Sequence, residues 1–135
     1  MRLCAMLAVF ALASVATAED TPAIRKLDLK DVKLKHEGIA LEPAIASTAE
    51  ELAKVKAFVD DASRAAVKKQ VDFAKEKVVV FSWSGSGGDE VTPELLTTGK
   101  KLVAVFKYKP GKTDDVQEHG LIVTVPKDAV VEVKK

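Results

Sequence analysis

"VVVFSW", residues 78–83, is the stretch on which the fold turns. Three β-branched residues followed by Phe81 and Trp83 make a strongly strand-forming run. Side chains alternate between faces along a strand, and this run is apolar at odd and even positions alike at its start, so both faces need cover. The same texture returns downstream. "LVAVFKYK" (102–109) sets Leu102, Ala104, Phe106 and Tyr108 on one face. "LIVTV" (121–125) and "AVVEVK" (129–134) read as two more strands, separated by Pro126, Lys127 and Asp128. After the 102–109 run, Lys109-Pro110-Gly111-Lys112 has Pro and Gly where a type II turn prefers them.

Upstream of this block the period changes. Thr48-Ala49-Glu50-Glu51 fits a capping box, as does Ser47 with Glu50. Leu52, Val55 and Val59, with Phe58 beside them, then recur at helical spacing. Asp60-Asp61 interrupts the stripe, and a second helical stretch over 63–70 presents Ala66 and Val67 before Val71 and Phe73. Such residues are core far more often than cofactor contacts. Earlier still, "LDLKDVKLK" (27–35) alternates but slips phase, with Leu27 and Leu29 on one face and Val32 and Leu34 on the other. A bulge or tight turn near Lys30-Asp31 would realign them. Gly38 then permits a turn before a short segment that Pro43 excludes from a central strand. The order of elements predicts an α+β fold, a mainly antiparallel β-sheet with one or two helices packed on it. The expected organisation is a lead and strand segment over 19–43 and an α+β domain over 44–135, with 27–43 part of the same single domain.

The first residues, MRLCAMLAVFALASVATA-ED, place Arg2 before an apolar run that closes on Ala16-Thr17-Ala18. That is the layout of a secretory signal peptide over 1–18, and the run is shorter than the roughly 20 residues of a spanning helix. The reading is therefore an exported protein, periplasmic or secreted, with no integral membrane segment after cleavage. The chain's 21 Lys and Arg include Arg2, so cleavage leaves basic and acidic residues equal at 20 each. Such a balance disfavours a nucleic-acid binder. Cys4, the single cysteine, falls inside the signal, so the mature domain has no disulfide and depends on packing.

The loop after Trp83, Ser84-Gly85-Ser86-Gly87-Gly88-Asp89, has the texture of a catalytic or phosphate-binding turn. It fails the specific tests. The nucleophile elbow needs G-x-S-x-G between a strand and a helix, and Ser84 stands where its first glycine belongs. A G-x-G-x-x-G motif from Gly85 would need glycine at Glu90, and the Gly111-Lys112-Thr113 tail of a P-loop has Phe106 in place of the leading glycine. Asp114, Asp115, Glu118 and His119, with Asp89 and Glu90, gather metal-ligand residue types but do not follow a calcium loop. No metal or cofactor is expected.

A further set of residues comes in a recognisable order: Ile45-Ala46-Ser47-Thr48-Ala49-Glu50-Glu51-Leu52, Val71-Asp72-Phe73, the strand Val78 to Phe81, Gly85 to Gly88, the strand Leu102 to Tyr108, and a closing Val125-Pro126-Lys127. In that order the chain resembles, over residues 44–128, exported bacterial domains similar to the C-terminal domain of the protease-complex accessory protein PrcB. It departs where Gly88 leads into Asp89-Glu90 instead of an aromatic residue. The resemblance implies an exported, non-catalytic module associated with other proteins, and carries over no catalytic residue.

Two functions follow as expectations. The first is a binding or accessory module of the cell envelope or secreted space, whose partner is another exported or envelope protein. Its contact surface would be Trp83, Ser84, Ser86, Gly87, Gly88 and Asp89, with the 110–120 loop second, because function concentrates on loops held by a rigid scaffold. The second is a small hydrolase using Ser86 or Ser84 with His119 as base, since His36 and His119 are the only histidines.

Overall fold

A computed structural model of the chain describes residues 22–135; the signal-peptide reading lies outside them. Strand β3 (Glu76–Ser86) is the centre of the molecule. It pairs antiparallel with β6 (Val116–Pro126) on one side and with β2 (Ala44–Ala46) on the other, while β1 (Arg25–Lys26) borders β6. A second sheet holds β4 (Glu90–Thr98), β5 (Lys101–Lys109) and β7 (Val130–Lys134) in that order, with β5 and β7 parallel. The mainly antiparallel α+β class expected from sequence is found, divided over two sheets.

The two faces of β3 supply two cores. Val79, Phe81 and Trp83 point into the space between the sheets, where they meet Ala104 and Phe106 of β5 and Val123 and Val125 of β6. The rings of Phe81 and Phe106 lie 4.9 Å apart. Val78 and Val80 point the other way, with Ile122, against Leu52, Phe58 and Val67. That second core is roofed by helices α1 (Ala49–Ala53) and α2 (Asp61–Lys68).

Both helices start as their side chains dictate. Thr48 Oγ1 accepts the Glu51 N–H at 3.1 Å, and Glu51 reaches back to the Ser47 N–H, so the box begins at Thr48. Asp60 caps α2 by accepting the backbone N–H of Ser63 at 2.8 Å. The stripe from Leu52 to Val59 is not one helix. After Ala53 the chain pairs instead with the preceding segment: the Lys35 N–H donates to Ala57 O, the Val59 N–H to Lys33 O, and Leu34 bridges Phe58. These bonds remove residues 57–59 from helical pairing, bury Phe58 completely and leave Val59 51 % exposed. The phase slip at Lys30-Asp31 is a turn closed by the Val32 N–H on Leu29 O, and it brings Leu27, Leu29, Val32 and Leu34 onto the same core. Within 27–35 no residue belongs to a strand, Leu34 forming only an isolated bridge; the strand is Arg25–Lys26, just before the alternating segment.

Two features of the second sheet were not expected. Strand β4 contains Pro93, yet it is an edge strand, and Thr98 and Lys101 flank a two-residue hairpin in which Gly99 takes φ +63°. Positive φ at the first turn position is what a type II′ hairpin requires, and glycine adopts it freely. The flanking pair exchanges both ladder bonds, so by alternation Pro93 turns its donor-less nitrogen to the open edge, where no bond is lost. The type II turn expected at 109–112 is absent, because Gly111 does not adopt positive φ. Its role is close approach, described below.

Because Phe81 has no solvent exposure and meets Phe106 across the sandwich, Phe81→Ala is expected to cost about 3–5 kcal/mol. Urea denaturation of both forms measures this; a loss below about 1 kcal/mol would mean the core collapses around the gap or is not packed as described.

Candidate functional site

The serine–glycine run is mostly strand. Ser84, Gly85 and Ser86 continue β3 opposite Glu118, Gln117 and Val116, and only Gly87-Gly88 form the turn, closed by the Asp89 N–H on Ser86 O at 3.0 Å. The turn carries the chain from one sheet to the other and is stitched to the loop after β5. Gly111 donates its N–H to Asp89 Oδ1 at 2.7 Å. Ser86 Oγ accepts the N–H of Thr113 at 3.1 Å and of Gly88 at 3.4 Å, and lies 2.7 Å from Thr113 Oγ1. With both lone pairs engaged, its proton goes to Thr113. Glycine is required where the loops cross: a Cβ on Gly111 would stand 2.5 Å from the Gly88 carbonyl carbon.

Asp89 anchors this end. Its Oδ2 accepts the Trp83 indole N–H at 3.2 Å. The Gly111 N–H does most to hold its carboxyl below the usual carboxylate range, joined by the Trp83 and Tyr108 side chains and by His119, against a smaller opposing effect of burial. Burial and the charge of Asp89 push the Tyr108 phenol up in turn. Trp83 is buried, stacked on His119 with ring centroids 5.0 Å apart and edge-on to Tyr108 at 6.4 Å.

Both histidines are held by backbone. His119 Nε2 lies 2.7 Å from Ser86 O, and a carbonyl only accepts, so Nε2 carries the proton. His119 therefore meets the carbonyl of Ser86 and not its hydroxyl. The Ser84 hydroxyl donates to His36 O at 3.1 Å, so neither serine is paired with a base. His36 has φ +56°, a left-handed conformation that costs a non-glycine residue about 1–2 kcal/mol. It is fixed there by its N–H on Ser82 Oγ at 3.0 Å and by Nδ1 on His119 O at 2.9 Å. The reversal at His36 sends the chain past the free side of β3 in a short parallel crossing, where Gly38 bridges Trp83 and its N–H donates to Ser82 O at 3.0 Å.

That crossing makes one wall of an open groove of about 440 Å³. Trp83, Ser84, Gly85 and Ser86 form its floor, and Pro110 and Gly111 the opposite wall. Ile39 and Leu41, on the first wall, are 60 % and 38 % exposed. Of the residues read from sequence, Trp83, Ser84, Ser86 and Asp89 line the groove, whereas Gly87 and Gly88 lie beside it. Sequence reading missed Ile39, Leu41 and His36. Two large apolar residues next to Gly38 were the available signal, but only the bond to Ser82 places them beside Trp83.

The acidic cluster is split by the strand pleat. His119 turns inward onto Trp83, while Glu118 faces His36 Nε2 at 3.7 Å. Asp115 Oδ2 accepts from Gln117 at 2.7 Å. Among the described residues no group of three or more His, Asp or Glu is arranged to hold a metal ion. Gly111 and Thr113, from the P-loop-like tail, already spend their N–H groups on Asp89 and Ser86. No helix among the described residues is long and apolar enough to cross a membrane. No protein-family model, curated protein or solved structure matches the chain.

A carboxyl held low when folded adds stability that is complete above its unfolded pKa, about 3.9, and is lost as pH falls through the lower folded value. Asp89→Asn is therefore expected to be less stable than wild type at pH 7, with the gap narrowing at pH 2–3. Urea midpoints across that range check it; a gap independent of pH would show that the Asp89 charge contributes nothing.

Proposed function

We propose that this chain is an exported, non-catalytic binding module of the cell envelope or secreted space, which contacts another protein through the groove and loops at the Trp83–Asp89 end. The observation that carries the reading is the exposure of Ile39 and Leu41 along a groove whose other parts are fixed. Large apolar side chains standing together in water mark interaction sites. The stitched loops mean that little conformational freedom is lost on binding, which favours affinity.

Further support comes from how the polar groups are used. The hydroxyls of Ser84 and Ser86 are engaged with His36 O and with Thr113, and His119 is engaged with a carbonyl. A nucleophile needs a base within reach of its own proton. Export rests on the signal-like residues 1–18, and association with other proteins on a segment order that resembles the PrcB C-terminal domain.

The test is affinity capture from envelope and culture-medium extracts, with the chain from residue 19 as bait beside Ile39→Asp/Leu41→Asp and Lys68→Glu on exposed α2. One protein retained by wild type and Lys68→Glu, and reduced at least about tenfold with the groove variant, is expected, since buried apolar anchors dominate such interfaces. Equal capture by all three, with each folded, would overturn the groove assignment.

A further inference from the structure

Strand β6 has an edge that the fold leaves open. Its outer side is covered by β1, opposite Thr124 and Val123, and by the Leu27 N–H, which donates to Ile122 O at 2.9 Å. There the chain departs, with the Asp28 N–H turning to Gln70 Oε1 at 2.8 Å. The phase of the ladder follows from one bond. The Lys127 N–H donates to Lys75 O in line with the β3–β6 register, so odd-numbered residues of β6 exchange bonds with β3 and even-numbered ones point away. The outward bond at Ile122 agrees with this phase. The backbone N–H and C=O of Glu118 and Gly120 therefore point outward, and no partner for them is found among the described residues. Both residues are exposed, and Val116 on the same edge is 79 % exposed.

Outward N–H and C=O groups at alternate residues match one kind of ligand, another extended backbone. The flanking side chains narrow its sequence. Glu118 is exposed, with Asp114 and Asp115 just ahead of the strand, so the residue set opposite Glu118 should be basic. At Gly120, where a Cβ would lie 2.8 Å from Leu34 Cδ1 and 4.0 Å from Leu29 Cδ1, the neighbouring position adjoins two half-buried leucines and should be apolar. A second copy of the chain fits poorly. Antiparallel pairing of β6 with itself would set Glu118 against Glu118 or Gly120, and Asp114 against Ile122 or Thr124, where Leu27 and β1 already sit.

We propose that this edge accepts an extended segment of a partner protein, added antiparallel to β6 and in line with β1, with the pattern apolar-x-basic read opposite Gly120 and Glu118. The edge lies across the sheet from the groove, beyond β3, so the proposal holds or fails independently of the groove reading.

The test is an NMR titration of the chain with the peptide acetyl-Leu-Thr-Lys-Val-Thr-amide. Expected are chemical-shift changes centred on the amides of Glu118 and Gly120, which exchange freely without peptide, while Gln117, His119 and Leu121 are protected throughout. Glu118→Pro removes one outward N–H at a position where proline is compatible with an edge strand, and should abolish the response. Glu118→Gln should weaken it about threefold, the scale of one cross-strand charge pair. Shifts centred elsewhere, on Leu95 and Thr97 of β4 for example, or no shift in the wild type, would overturn the site. So would an unchanged response in folded Glu118→Pro. Equal binding of a peptide with Glu in place of Lys would overturn the assigned charge. Should Glu118→Pro fail to fold, the position of the wild-type shifts still decides the matter.

Discussion

Strand β3 has no solvent face between Val78 and Trp83, and the rest of the molecule is arranged around that constraint. A strand turns successive side chains to opposite faces, so an unbroken apolar run must be covered twice. The second sheet covers Val79, Phe81 and Trp83. The short helices and the looping N-terminal segment cover Val78 and Val80. Neither layer has an extensive core away from this strand and its neighbour β6, since both clusters draw on the two strands together.

The same strand explains why the Trp83–Asp89 end is so heavily cross-bonded. β3 belongs to one sheet and β4 to the other, so the chain must cross the sandwich within the turn at Gly87-Gly88. So short a crossing brings it against the loop that leaves β5, and backbone touches backbone at Gly88 and Gly111. Asp89 then satisfies the Gly111 N–H and the Trp83 indole together, tying the crossing to both sheets. A loop held this way has a defined shape, and its serines are used in holding it.

Much of this could be read from residue order. The strands around Phe81, Phe106 and Val123 announced themselves by β-branched and aromatic runs, and the cap at Thr48 follows from a side chain that reaches its own backbone. Asp60, by contrast, read from sequence only as a break in the stripe, caps α2. Strand β4 was hidden because Pro93 argues against a central strand, and sequence does not say which strands are edges. The helical spacing of Val55 and Val59 misled for a related reason. Pairing of residues 57–59 with 33–35 is a contact between distant segments, and it outweighed a weak local preference.

At the candidate site the division is the same. The sequence by itself determined that a buried strand runs into a glycine turn and that 84–89 lacks an elbow or phosphate signature, because those properties depend on residue type and near spacing. That the turn is only Gly87-Gly88, with 84–86 still strand, depended on pairing with β6. Only the tertiary structure decided that His119 meets a carbonyl, that Ile39 and Leu41 stand beside Trp83, and that Glu118 and Gly120 have no edge partner among the described residues. Each of those depends on which distant segments share a sheet and where a covering strand ends. Such choices are made by the burial of the whole core, to which no local stretch of residues has access.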